Sequence, residues 1–181
     1  PARQVSARLF LETLRAAARL NPPGLARIID FGVADEQKYW VLAEAPGRSL
    51  RERLDDLQAA GGGLPPLEAT ALILALGRAL AAARREGQPA PRLASHDVGL
   101  RSGAGASAIP LLLTAGLAPL AREAERVPPA DEAQTLAAWL AQLLTGQAPV
   151  AGEAPWAAVP EALRPLLRKA LAPTPAERLA D

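Results

Sequence analysis

Apolar positions recur along this chain at two periods, and the changes between them divide it into elements. Leu9, Phe10, Leu14, Ala17 and Ala18 stand at helical spacing, predicting a helix over residues 8–20 that the Asn21-Pro22-Pro23-Gly24 cluster ends. Two short apolar runs follow, residues 25–31 and 39–42, joined by the polar turn Asp35-Glu36-Gln37-Lys38, which predicts a β-hairpin. Ser49 is placed to cap a helix over 50–60, since its hydroxyl can accept from a free N–H of the first turn. Gly61-Gly62-Gly63 predicts a flexible joint, and Pro65 and Pro66 open the longest helix, 67–86. Leu72, Ile73, Leu76, Leu80 and Ala83 cover much of that helix's circumference, which predicts a central, mostly buried position before Gly87 stops it.

From residue 88 to 119 the helical period disappears, and short apolar runs alternate with Pro and Gly, the pattern of loops and small strands. The uncharged stretch between Arg101 and Arg122 is long enough to span a bilayer. Gly103, Gly105, Pro110, Gly116 and Pro119 interrupt it, so it reads as buried strands and a loop. A second buried helix is predicted over about 132–144, closed by Thr145-Gly146, and an amphipathic segment over 160–172. The sum is an α+β chain dominated by helices.

Composition narrows the possibilities. Half of the 181 residues are hydrophobic, enough for a core, but only six are aromatic, so the core is built from Leu, Ala, Val and Ile. The formal charge of +1 is a balance of mixed charges that gives no footprint for a nucleic acid. Without cysteine there is no disulfide or thiolate metal site, and with His96 as the single histidine no zinc site is expected. These features fit the cytoplasm, including the cytoplasmic part of a membrane-anchored protein. The absence of methionine and the start at Pro1 suggest a piece of a longer protein.

Several words of the sequence stand in a recognisable order. Leu20-Asn21-Pro22-Pro23-Gly24-Leu25 is followed by Ile29-Asp30-Phe31-Gly32, then by Tyr39-Trp40-Val41-Leu42-Ala43-Glu44-Ala45-Pro46-Gly47-Arg48-Ser49-Leu50. Later come Leu143-Leu144-Thr145-Gly146 with Pro149, then Leu167-Arg168-Lys169-Ala170-Leu171 with Pro175-Ala176-Glu177-Arg178. In this order and spacing the chain resembles the bacterial, eukaryotic-like serine/threonine protein kinases, from their helix C to their last conserved block. The resemblance implies a protein-kinase-like α+β fold. Residues 1–45 would be a remnant of the N-lobe (helix C, fourth and fifth strands, hinge) and 46–181 a mostly helical C-lobe. It also implies that Leu42 is the gatekeeper and that the backbone of Ala43 to Ala45 is the hinge that meets adenine.

The same alignment displaces the chemistry. Kinases carry H-R-D with an Asn five residues after the Asp, then D-F-G; the Asp of the first is the base, and the Asn and the Asp of the second hold magnesium. Here those places read Ala90-Pro91-Arg92, Asp97 and Thr114-Ala115-Gly116. Arg92 is a permanent cation unable to accept a proton, and loss of the base alone costs on the order of 100- to 10,000-fold. Thr114 offers a neutral hydroxyl, and the lone Asp97 carboxylate is a poor site for an octahedral ion. The helix-C position that pairs with the strand lysine aligns with Thr13, with Glu12 one residue and about 100° away around the helix.

The expectation is therefore a pseudokinase with degenerate Arg92, Asp97 and Thr114, weak candidate adenine contacts at Leu42, Ala43 and Ala45, and little or no ATP or magnesium binding. It would act as a regulatory or protein-interaction module with a protein partner, and without nucleic acid or direct membrane insertion. Two alternatives stand beside it: an atypical kinase or nucleotide-binding protein using Asp97, Glu12 or an upstream lysine, and a purely helical scaffold.

Other residues read more plainly. Ser95-His96-Asp97 are loop neighbours that point apart, so they make no triad, and His96 is a surface histidine. Asp55-Asp56 and Asp35-Glu36 read as solvated ends and turns without a partner pair, Arg84-Arg85 and Arg51-Glu52-Arg53 as exposed faces, and Gly103 to Ser107 as a hairpin turn. Arg178 reads as solvated, and Trp156 as the tryptophan most exposed.

Overall fold

The computed structural model describes residues 6–21, 23–86, 93–102, 108–113, 129–150, 155–174 and 177–178. Helix α1, Ala7–Ala17, starts at Ser6, whose hydroxyl accepts from the Leu9 N–H. It buries Phe10, Thr13, Leu14 and Ala17 against a two-stranded antiparallel sheet, β1 (Ile28–Ala34) and β2 (Gln37–Leu42). Phe10, Leu14, Ala17 and Ile28 form the buried centre of this part, with Leu11, Phe31 and Leu42 packed around it. The hairpin is the predicted one with a tighter turn. Only Asp35 and Glu36 lie outside the strands, with φ of 49° and 63°, as a two-residue loop matched to strand twist requires. Tyr39 lies across Gly32, where a Cβ would stand 2.9 Å from its hydroxyl oxygen.

The first strand begins three residues later than its apolar run suggests. Leu25 is taken out of it to bridge Leu112 in parallel, with Ala26 N–H donating to Leu112 C=O (3.0 Å) and Leu112 N–H to Gly24 C=O (2.8 Å). Gly24, at φ +86°, brings the backbone so close to α3 that an added Cβ would lie 2.8 Å from that of Ala79. Ile29 is then spent in a bulge, and regular pairing resumes at Asp30.

The rest of the chain is organised around three helices. α2 (Leu50–Ala60) carries a complete capping box, Ser49 with Glu52, whose carboxyl is held below its usual range first by the Ser49 backbone N–H and then by the Ser49 hydroxyl. α3 (Pro66–Arg85) buries Leu72, Leu76, Ala79, Leu80 and Ala83, and α4 (Pro129–Thr145) packs across it. By length and composition α3 would also suffice to cross a membrane; here it is the central helix of the larger core, with Leu76 and Leu80 almost fully enclosed. A three-stranded antiparallel sheet, β3 (Arg48–Ser49), β4 (Val98–Ser102) and β5 (Ala108–Leu112), lies against α2 and α3. The predicted hairpin turn at 103–107 falls outside the described residues.

Three local expectations are corrected by packing. The triple-glycine joint is not loose where it meets α4: Leu64 N–H donates to Leu143 C=O (2.7 Å), and Gly63 lies directly on the Leu144 carbonyl. The amphipathic run at 160–172 is not one helix. Pro165 lacks an N–H and sits in the first turn of the short helix α5 (Arg164–Ala170), with a 3-10 turn at Glu161–Leu163 before it. Trp40, not Trp156, is the exposed tryptophan, at 42%; Trp156 is half-buried with the Arg168 guanidinium 5.2 Å above its ring.

Charged residues read as free are in part paired. Arg51 and Arg48 reach Asp55 (2.8 Å) and Asp56 (2.7 Å), contacts that exposure keeps weak. Arg84 differs, because it crosses from α3 to Glu132 of α4 (2.8 Å), whose side chain is 5% exposed. The pair pins the two central helices together.

Candidate functional site

The expected hinge, Ala43 to Ala45, lies in the connection between β2, which ends at Leu42, and β3, which begins at Arg48. Leu42 faces α1 and is half-buried with Phe31 against the Phe10–Leu14 cluster. Ala43 donates its N–H to Arg27 C=O (2.8 Å), so that donor belongs to the sheet, and Ala45 is exposed. Glu44, two residues past Leu42, accepts a 2.6 Å hydrogen bond from Arg101 of β4, both side chains being about half exposed. Pro46 then lies on Gly99 so closely that a Cβ on Gly99 would collide with the proline ring.

β4 therefore lies directly against the 43–47 connection. Its register pairs Ser49 with Gly99 and Arg48 with Leu100. Alternation along the strand puts Gly99 and Arg101 on one face, toward the hinge, and Val98 and Leu100 on the other, toward the core. Asp97 ends the 3-10 turn Ser95–Asp97 and continues the ladder, its C=O accepting from Leu113 N–H (2.8 Å). Gly99, Pro46 and the Glu44–Arg101 pair were not singled out by sequence reasoning. A glycine inside an apolar strand, Val98-Gly99-Leu100, is a known sign of close backbone approach and was the available signal for the first two; no sequence signal links residues 57 positions apart.

Asp97 is the one member of the degenerate catalytic set within the described residues; Arg92 and Thr114 lie outside them. Its side chain is 23% exposed, and partial burial pushes its carboxyl above the usual aspartate range, an effect that His96 and a backbone hydrogen bond from Ala94 offset in part. His96 stands 3.7 Å away and is largely in solvent, and the Ser95-His96-Asp97 run sits on a single short turn without a relay. A carboxyl whose pKa is raised in the folded state destabilises the fold once ionised, above its unfolded pKa, and the penalty vanishes as pH falls below that value. Asp97→Asn is accordingly expected to raise stability to urea at pH 7, with the gain gone near pH 3; a variant less stable than the parent at pH 7 contradicts this.

The remaining candidates separate. Glu12 is engaged by Arg8 (2.9 Å) on the exposed face of α1, whereas Thr13 points into the buried cluster, so the two occupy different faces. Arg178 is not simply solvated: its Nε and Nη2 donate to the carbonyls of Ala172 (2.9 Å) and Pro173 (3.0 Å).

No protein-family model matches the chain, and no curated protein matches it by sequence. Solved structures do. A crystal structure of the Mycobacterium tuberculosis PknI kinase domain superposes with a TM-score of 0.72 at 25% identity, covering 99% of this chain and 76% of that one. A second structure of that domain gives 0.69 at 24% identity over 98% and 76%, and a mutant of it 0.70 at 24% over 100% and 77%. Small sheets on a helical body and superposition over nearly the whole chain agree: this chain has a protein-kinase-like fold, similar to a bacterial kinase domain.

Proposed function

We propose that this chain is a catalytically inactive kinase-like module, a pseudokinase, that acts by binding another protein. One observation carries the reading: Asp97, in the turn that leads into β4, is the one member of the expected catalytic set among the described residues, while Gly99 of β4 is covered by the chain's own Pro46 and Arg101 is tied to Glu44. On this reading little or no magnesium ATP is bound. Magnesium in nucleotide sites is held through one or two carboxylates together with water and phosphate oxygens, and Asp97 is the single carboxylate that the expected catalytic set retains. The sequence adds Arg92 and Thr114 where a base and a metal ligand would be needed.

The test is a melting curve with millimolar ATP, with and without magnesium, beside an assay of phosphate transfer to a generic protein substrate. No change in melting temperature and no transfer are expected. A rise of several degrees with ATP contradicts the expectation of little nucleotide binding. Transfer that disappears in Asp97→Ala overturns the proposal and supports an atypical kinase.

A further inference from the structure

We propose that two copies of this chain associate through β2, whose outer edge pairs antiparallel with itself and joins their two-stranded sheets into one. The turn of the hairpin decides which backbone groups take part. Residues flanking a two-residue loop, here Ala34 and Gln37, form a hydrogen-bonded pair, and the direction of bonding then alternates along each strand. Gln37, Tyr39 and Val41 therefore turn their N–H and C=O toward β1, as does Ala43 beyond them, whose N–H donates to Arg27 C=O (2.8 Å). Lys38, Trp40 and Leu42 turn theirs outward, and among the described residues no strand pairs with that side of β2.

The two edges of the hairpin are not alike. β1 closes its own: the bulge at Ile29 interrupts it, and the outward Phe31 N–H donates to the Asp30 carboxylate (2.9 Å). β2 keeps an unbroken register from Gln37 to Val41, and Tyr39, Trp40 and Val41 are each 40–42% exposed. A regular apolar edge is a template for another strand. The strand that fits it best is its own copy. Turned about a two-fold axis through Trp40, the two strands set Trp40 opposite Trp40 and Lys38 opposite Leu42, so that every outward residue of β2 enters a hydrogen-bonded pair. The side chains match in the same register. Trp40 already stands beside Phe31 of its own β1, on the face that packs against α1, and the pairing extends this into a row of Phe31, Trp40, Trp40 and Phe31 across the joined sheet. On the other face Tyr39 comes opposite Val41, an aromatic beside a β-branched side chain. No like charges meet within the strands, since Lys38 faces Leu42. β2 is six residues long, so the interface is small and association belongs in the micromolar range.

The experiment is sedimentation of the chain from low micromolar to near-millimolar concentration, with hydrogen exchange followed along β2. A reversible equilibrium between monomer and dimer is expected. The amides of Lys38, Trp40 and Leu42 should gain protection as concentration rises, while those of Tyr39 and Val41, already bonded to β1, change little. Trp40→Lys and Trp40→Glu each set like charges against each other across the axis, and each should weaken association by about tenfold or more. An equimolar mixture of the two variants should associate better than either alone, because opposite charges then meet. Ile29→Lys, on the closed edge, is the control and should associate as the parent does; unchanged amide protection in α3 shows that each variant is folded. A chain that stays monomeric at every concentration overturns the proposal, and protection of Lys38, Trp40 and Leu42 in that monomer would assign the edge to a segment of the same chain. A dimer indifferent to both Trp40 variants, a mixture no more associated than its components, or an Ile29→Lys chain as dissociated as Trp40→Lys overturns it as well. The proposal rests on the open edge and not on the loss of catalysis, so phosphate transfer would remove the pseudokinase reading and leave these outcomes unchanged.

Discussion

Gly63→Ala is expected to lower the stability of this chain by about 3 kcal/mol, the largest effect of a methyl added at any of the described glycines. The new Cβ would fall on the carbonyl of Leu144, with the carbonyl of Leu143 2.8 Å away. Both belong to the last turn of α4, and Leu143 already accepts from Leu64 N–H (2.7 Å). A side chain rotates out of a clash at small cost, but a backbone carbonyl that closes a helix does not. Relief therefore requires moving the 61–64 segment off α4, which exposes Leu64 and breaks its hydrogen bond. For a domain of this size about 3 kcal/mol corresponds to a fall of roughly 6–12 °C in melting temperature. The adjacent Gly62→Ala is the control, because nothing lies within 4 Å of the Cβ it would gain. Urea unfolding should show a lower midpoint for Gly63→Ala and an almost unchanged one for Gly62→Ala. Equal midpoints for the two would mean that the contact with α4 does not hold the joint.

The same three glycines show where the sequence was informative and where it was not. Periodicity located α1, α2, α3 and the hairpin, because each buries one continuous face and the burial is written into successive residues. The Ser49–Glu52 box was half visible for the same reason, since a cap is local. Gly61-Gly62-Gly63 was read as flexible from composition, yet only Gly61, with φ +65° at the end of α2, needs the conformational freedom of glycine. Gly63 is there because α4, some eighty residues on, leaves no room for a side chain. Arg84 was read as exposed because its partner Glu132 is 48 positions away. Order of motifs carried the kinase-like fold; it did not extend to the contact that Pro46 makes with Gly99 of β4.

Gly99→Ala tests that contact directly, and it is expected to cost about 2 kcal/mol and to displace the hinge. The added Cβ would overlap the ring of Pro46 and stand 3.3 Å from a Leu113 methyl, and a proline ring fixed in φ has little room to yield. The strand below is anchored on its other side by Val98 and Leu100 in the main core, so the hinge is the part that moves. Lifting Pro46 carries Glu44 away from Arg101 and uncovers the part of β4 that the chain otherwise covers with its own residue. Hydrogen exchange at Ala45 and Gly47 should quicken, while the amides of α3, buried in the core beyond, keep their parental protection. Pro46→Gly removes the ring and should cost less in the Gly99→Ala background than in the parent. The cycle then gives a coupling of about 1 kcal/mol or more, because the two residues are in contact. Additive effects, or exchange at 45 and 47 unchanged by Gly99→Ala, would show that Pro46 does not rest on β4 and would take away the main structural support for the proposal that little or no nucleotide is bound.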